Sequence, residues 1–210
     1  VECKFIDPKG GMFTLEEIRR ATREQPERLP FNPRIHYAAA MDPATRGNAW
    51  TLVIASRRGR LKKVVFHCEW RGNPIQPLDP RVVIKEAKEC LDLYKLDWCY
   101  TDQWAADANR TIAIEEGLNL VDIGWTQLQN VDAYSSMASA MSMATIMVPD
   151  DPTLQKDLKL IKKRPSTARH GFSIHLPTTP DGRHCDYAPA LARCMKQWLD
   201  EEGVAAISPG

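Results

Sequence analysis

The chain has 210 residues, with 28 Lys and Arg against 27 Asp and Glu for a formal net charge of +1, and 43% of its residues are apolar. That composition excludes disorder and predicts one globular domain with at most an appendage. The longest uncharged run, the 17 residues from Ala133 to Pro149, is too short and too rich in Ser and Thr to cross a bilayer, so no membrane partner is expected. A neutral total leaves nucleic acid open as a partner, because a basic surface beside an acidic metal site sums to nothing. The six cysteines form no CxxC pair and read as free thiols of a reducing cytosol.

Residues 1–34 read as a short helix and then a linker. Thr14 and Glu17 have capping-box spacing, and Pro26, Pro30 and Pro33 break the stretch after the helix. The chain opens on Val1 and is expected to be part of a longer polypeptide. Ile35 to Met41 is an almost continuous apolar run stopped by Asp42-Pro43, the pattern of a buried strand. Trp50 to Ser56 and Leu61 to Trp70 are two further β-rich runs around a turn at Gly59, which predicts a three-stranded antiparallel start.

Pro80, with Asp79 as its N-cap, opens an amphipathic helix that leads to a strand at Leu96 to Tyr100. From there the pattern alternates: helix Ala106 to Glu116, strand Leu118 to Ile123, helix Val131 to Met141 and an apolar run Thr145 to Val148. Alternation of this kind predicts parallel strands joined by crossover helices. A helix from Thr153 to Ile161, a hairpin around Gly171 and a last helix from Tyr187 to Leu199 come next, with residues 201–210 as a tail. The layout predicts an α/β protein with a mixed five- or six-stranded sheet, helices on both faces and an auxiliary β-hairpin, an order for which the ribonuclease H-like fold is the commonest owner.

Three aspartates stand out by position. Asp42 comes directly after the first buried strand, Asp102 after the Leu96 strand, and Asp186 opens the last helix. If the two strands are neighbours, Asp42 and Asp102 leave the same sheet edge and the last helix can bring Asp186 to them. Three carboxylates that close repel unless cations lie between them. Hard oxygen ligands in an open cluster suit Mg²⁺ or Mn²⁺, and two such ions about 4 Å apart would activate water and stabilise a leaving oxygen. Taken singly, each acid reads more readily as a turn former or a helix cap, and it is the combination that points to a metal site.

The residues around these acids carry a family resemblance. Tyr37 to Ala44 with Gly47, Tyr100-Thr101-Asp102-Gln103-Trp104, and His184-Cys185-Asp186-Tyr187-Ala188-Pro189-Ala190-Leu191-Ala192 together resemble the nuclease domain of the large terminase subunit of tailed bacteriophages. The resemblance covers about residues 35–198 and implies a domain at 35–200 in the ribonuclease H-like superfamily, with 1–34 linking it to an upstream ATPase domain. It implies that Asp42, Asp102 and Asp186 hold Mg²⁺ or Mn²⁺; separately, His184 beside Asp186 is a catalytic candidate that could orient water or contact the scissile phosphate, its plain alternative being a polar residue in a surface turn. Cys185 stands where many relatives have another Asp, and Pro189 where many have an acid.

The family also carries a hairpin before the third acid that handles DNA. The matching stretch lies in a basic segment, with seven Lys or Arg against three Asp between Lys156 and Asp186. Lys159, Lys162, Lys163, Arg164, Arg169 and Arg183 are therefore the DNA-binding candidates, contacting phosphate without reading sequence. The resemblance implies an endonuclease that cuts concatemeric double-stranded DNA when packaging begins and ends. The portal protein and the small terminase subunit are its implied partners, and the cytoplasm of the infected host, with transient docking on the procapsid portal, its implied location. No GxxxxGK[ST] phosphate loop is present, so ATP hydrolysis by that mechanism is not expected of this chain. The alternatives are a resolvase- or integrase-type nuclease of the same fold, and a catalytically weak DNA-clamping module.

Overall fold

In the computed structural model, which describes residues 10–24, 26, 28–167, 171–179 and 182–207, seven strands build one mixed sheet. They are β1 (Thr22–Arg23), β2 (His36–Asp42), β3 (Ala49–Arg58), β4 (Leu61–Arg71), β5 (Trp98–Thr101), β6 (Asn119–Asp122) and β7 (Ile146–Pro149), in the order β1-β7-β4-β3-β2-β5-β6. The β2, β3 and β4 strands are antiparallel, as their hairpin spacing predicts, with Gly59 taking the positive φ of +60° that the β3–β4 turn requires. β5 and β6 add in parallel beside β2, whereas β7 crosses to the opposite side and pairs in parallel with β4.

The period-two alternation of β2 and β3 decides what lies on each face. Ala38, Ala40, Val53 and Ala55 point to one side, where they pack with α4 (Gln127–Ser142), α5 (Pro152–Leu160) and α6 (Tyr187–Ile207). Ala39, Met41, Trp50, Leu52 and Ile54 point to the other side, against α2 (Pro80–Asp92) and α3 (Gln103–Glu115). Small residues lie on both sides of the α6 contact, Ala38 and Ala40 on β2 and Ala188, Ala190 and Ala192 on the helix, all buried. Their size lets α6 lie close to the sheet, which matters for the acid at its N-terminal end.

Part of the segment before residue 35 packs onto the core. The capping box is present: Glu17 N–H donates to Thr14 Oγ1 at 3.1 Å and Thr14 N–H donates to Glu17 Oε2 at 2.7 Å, opening α1 (Leu15–Ala21). This helix is part of the domain, because Met12, Phe13, Ile18 and Ala21 are buried in the same core as α4 to α6, and β1 extends the sheet beside β7. The hydrophobic side chains of a segment that reads as a linker find a vacant edge of the core, and burying each of Met12, Phe13 and Ile18 is worth roughly 1.5–3 kcal/mol. At the other end α6 continues through 201–207, so most of the expected tail is helix.

The auxiliary hairpin consists of β8 (Lys162–Pro165) and β9 (Phe172–His175), paired antiparallel and separate from the main sheet. Phe172, Ile174 and Leu176 lay their apolar sides on the core, while Lys162, Lys163 and Arg164 are exposed. Among the described residues no helix is long and apolar enough to cross a membrane.

Candidate active site

Register places the first two acids. Ala40 lies opposite Tyr100 in the parallel β2–β5 pair, so two residues further along each chain Asp42 and Asp102 leave the same edge on the same face. Both share the α6 face with Ala40 and Tyr100. The third acid is fixed from the antiparallel side, since Asp42 is opposite Thr51 on β3. Thr51 Oγ1 donates to the backbone carbonyl of Asp186 at 2.9 Å, and Ala49 N–H donates to Asp186 Oδ2 at 3.0 Å. The three acids thus come from β2, the end of β5 and the start of α6 and meet at one sheet edge.

The electrostatics report that convergence. The Asp42 carboxyl is raised above its ordinary range, first by burial and further by the charges of Asp102 and Asp186, against the opposing pull of Arg193. Arg193 Nη1 donates to Asp42 Oδ1 at 2.6 Å, and the guanidinium lies 5.2 Å over the Trp125 ring. Asp186 is also raised, chiefly by burial, although the Ala49 N–H and the Arg183 charge favour its ionised form. Its other oxygen accepts from His184 N–H at 3.3 Å, and Arg71 Nη2 stands 3.7 Å away.

Among the described residues no three His, Cys, Asp or Glu side chains are gathered tightly enough to hold a metal ion as they lie. Two of the acids are engaged by other partners. Arg193 occupies one oxygen of Asp42, and both oxygens of Asp186 face backbone N–H groups. The donor set itself fits a hard divalent cation: it is all carboxylate oxygen, the charges of Asp102 and Asp186 raise the proton affinity of Asp42, and a guanidinium already stands on it as the counter-charge.

The turn that delivers Asp186 is held by a buried ion pair. Arg183 is only 2% exposed; its Nε and Nη2 donate to Asp157 Oδ1 and Oδ2 at 2.6 and 2.7 Å, and its Nη1 reaches Glu69. Burial would weaken the Arg183 charge, but these two carboxylates outweigh it and hold the guanidinium firmly protonated. Asp157 Oδ2 also accepts from Tyr187 N–H at 2.9 Å, so one carboxylate ties the residues on both sides of Asp186. This corrects the assignment of Arg183 to DNA binding, because a residue so enclosed and paired has no surface to offer a phosphate. Cys185 is fully buried with φ +54°, its thiol directed to the Pro177 carbonyl, and so lies in the core.

The remaining basic candidates divide. Lys162 and Arg164 on β8 stand with His175 and His184 in one positive patch; His175 is held below its ordinary range by desolvation and by the charges of Arg164, His184 and Lys162. His184 is half buried and links this patch to Asp186. Lys163 is exposed and lies over the Phe172 ring at 5.2 Å. Lys159 is two positions from the inward-facing Asp157, hence on another face of α5, and lines a separate groove with Arg19 and Arg23. Arg169 lies outside the described residues.

Sequence reasoning missed Arg193 and Arg71. Arg193 had a signal: it is the one charged residue between Tyr187 and Met195, and it is seven residues, two helical turns, after Asp186. Arg71, at the end of β4, has no comparable mark.

A mixed sheet with an antiparallel β2-β3-β4 unit, parallel β5 and β6 beside β2, helices on both faces and acids at the ends of β2 and β5 is a ribonuclease H-like α/β fold. No protein-family model and no curated protein matches the sequence, but solved structures match the fold. The large terminase nuclease from thermophilic phage G20c, crystallised with bound magnesium, superimposes with a TM-score of 0.73 at 14% identity, over 90% of this chain and 98% of that one. The Thermus phage P74-26 large terminase nuclease domain gives 0.65 at 14% identity, covering 89% and 95%. The HK97 bacteriophage large terminase gives 0.70 at 17% identity, and there the match covers 89% of this chain but 43% of that protein. The fold of this chain is that of a phage large terminase nuclease domain, as the three motifs implied.

Proposed function

We propose that the protein is a metal-dependent DNA endonuclease of a viral genome-packaging motor. The observation that carries this reading is the meeting of Asp42, Asp102 and Asp186 at one sheet edge, in a fold shared almost end to end with solved terminase nucleases. Asp42, Asp102 and Asp186 are the residues that would hold Mg²⁺ or Mn²⁺. Ions held there would supply activation of water for in-line attack on a phosphodiester and stabilisation of the leaving 3′ oxygen. The G20c nuclease has been crystallised with magnesium, with cobalt and with zinc, which supports a divalent-ion site of broad tolerance.

The chain's own residues do the rest. Thr51, Ala49 and the Arg183–Asp157 pair fix Asp186. Lys162, Lys163 and Arg164 neutralise backbone phosphates next to the acid edge, with Arg169 a candidate on the same segment, and His184 lies between the two. Contacts of this kind carry no sequence information, which suits an enzyme that cuts concatemeric double-stranded DNA at the start and end of packaging. In that setting the partners are an ATPase domain of the same polypeptide, the portal and the small terminase subunit, and the site of action is the cytoplasm of the infected host, at the procapsid portal.

A second reading is a DNA-clamping module with weak catalysis. It is favoured by one observation, that Cys185 stands buried where the family motif often has another acid. Supercoiled plasmid incubated with Mn²⁺, Mg²⁺ or EDTA, beside an Asp42→Ala variant, separates the two. Metal-dependent nicking and linearisation lost in the variant is expected. DNA retardation without cutting in any metal would favour the clamp.

A further inference from the structure

Two buried polar atoms without a hydrogen-bond partner among the described residues lie at the candidate site, Arg193 Nε and Trp125 Nε1. Buried polar groups are nearly always satisfied, and exceptions mark a ligand or a second arrangement. Beside them opens a cleft of about 540 Å³ lined by Asp102, Gln103, Gly124, Trp125, Thr126 and Arg193. Arg193 therefore has two sides. Its Nη1 lies on Asp42 at 2.6 Å, its side chain is 11% exposed, and the same residue walls a cleft large enough for a phosphate group.

Resting on the nuclease reading, we propose that Arg193 is the internal counter-ion of Asp42 in the metal-free protein and becomes a phosphate-contacting residue when DNA is bound. A guanidinium remains charged at every accessible pH, so a divalent ion on Asp42 must compete with it directly, and a proton cannot relieve that competition. Released from Asp42, Arg193 keeps its stacking surface on Trp125 and turns its donors to the cleft, where a fork of N–H groups matches two phosphate oxygens. The plain alternative is an ion pair that only fastens α6 to β2. The two differ in sign: a fastener protects the site, whereas a counter-ion holds metal affinity down.

The test is Mn²⁺ binding monitored by the EPR signal of the free ion, for the wild type, Asp42→Asn, Arg193→Gln and Arg193→Lys, together with single-turnover cleavage of linear duplex at saturating Mn²⁺. Arg193→Gln is expected to bind Mn²⁺ about tenfold tighter yet cleave roughly a hundredfold more slowly, in line with loss of one preorganised donor. Arg193→Lys should fall between Arg193→Gln and the wild type on both readouts. Unchanged or weaker Mn²⁺ binding by Arg193→Gln overturns the proposal while leaving the nuclease reading intact. Absence of Mn²⁺ binding by the wild type, or equal binding by Asp42→Asn, overturns the site reading itself and the proposal with it. Should Arg193→Gln fail to fold, the Arg193 Nε–H resonance of the wild type decides: it is expected to shift on Mg²⁺ titration, and an unmoved resonance during demonstrable Mg²⁺ binding overturns the proposal.

Discussion

Arg183 grips both carboxylate oxygens of Asp157, at 2.6 and 2.7 Å, and the pair is shut away from solvent three residues before Asp186. Two charges in such a place are tolerated because each satisfies the other and because Glu69 and the Tyr187 N–H take the remaining sites. Removing one partner strands the other. Asp157→Ala is expected to lower the unfolding free energy by about 3–5 kcal/mol, read by urea denaturation. Cleavage should fall even below the unfolding temperature, since the Asp186 turn loses its anchor. A change under about 1 kcal/mol would show that the pair is dispensable.

The acid cluster makes metal and pH act on the same groups. Asp42 and Asp186 both have carboxyls raised above their ordinary range, burial being the first cause for each. A carboxyl that holds its proton more tightly in the folded state than in the unfolded one lowers folding stability as pH rises through the window between the two values, and the full cost remains at neutral pH. The metal-free protein should accordingly lose this contribution to stability on going from acid to neutral. Mg²⁺ should raise Tm at neutral pH, by the equivalent of about 2.7 kcal/mol at a hundred times Kd, and have little effect once the acids are protonated. A Mg²⁺ effect independent of pH would contradict a carboxylate site.

The hairpin offers a clean electrostatic measurement. Lys162, Lys163 and Arg164 are exposed on β8. If they meet phosphates, replacing all three by Ala should weaken duplex binding uniformly across sequences and reduce the slope of log K against log salt by about 2 to 3. Arg183→Lys, by contrast, should leave that slope unchanged and register as lost stability. An unaltered slope in the hairpin variant would remove these residues from the DNA path.

The first helix tests the domain boundary. Phe13 is 3% exposed in the core and its ring centroid lies 6.3 Å from that of Tyr134 on α4. Phe13→Ala should cost about 3–5 kcal/mol, and Thr14→Ala, which breaks the capping box, about 1 kcal/mol. Both are measurable by thermal or urea unfolding. A Phe13→Ala cost near zero would restore residues 11–23 to the status of a linker.

Local chemistry made much of this legible in advance. The stop of an apolar run at Asp42-Pro43, the Asp79-Pro80 and Thr14-Glu17 helix starts and the basic stretch around Lys162 are short-range signals, and the elements they announce are present. The three motifs around Asp42, Asp102 and Asp186, taken in order, pointed to the fold that the solved terminase nucleases share.

What the sequence determined by itself, then, was which segments become strands and helices and which acids end them, because caps, turns and period-two alternation act over a few residues. Only the tertiary structure decided which charges face each other. Arg183 reads as one more cation of a basic run, and it is buried because Asp157, 26 positions earlier, and Glu69, 114 positions earlier, close around it. Arg193 reads as a helix residue, and it lies on Asp42 only because alanines on both surfaces let α6 settle against β2. β7 comes after β6 in the chain yet pairs with β4, a choice made by the vacant sheet edge and the waiting core of α1 and α4. Burial and pairing over such separations arise from packing, and packing is a property of the whole chain rather than of any window within it.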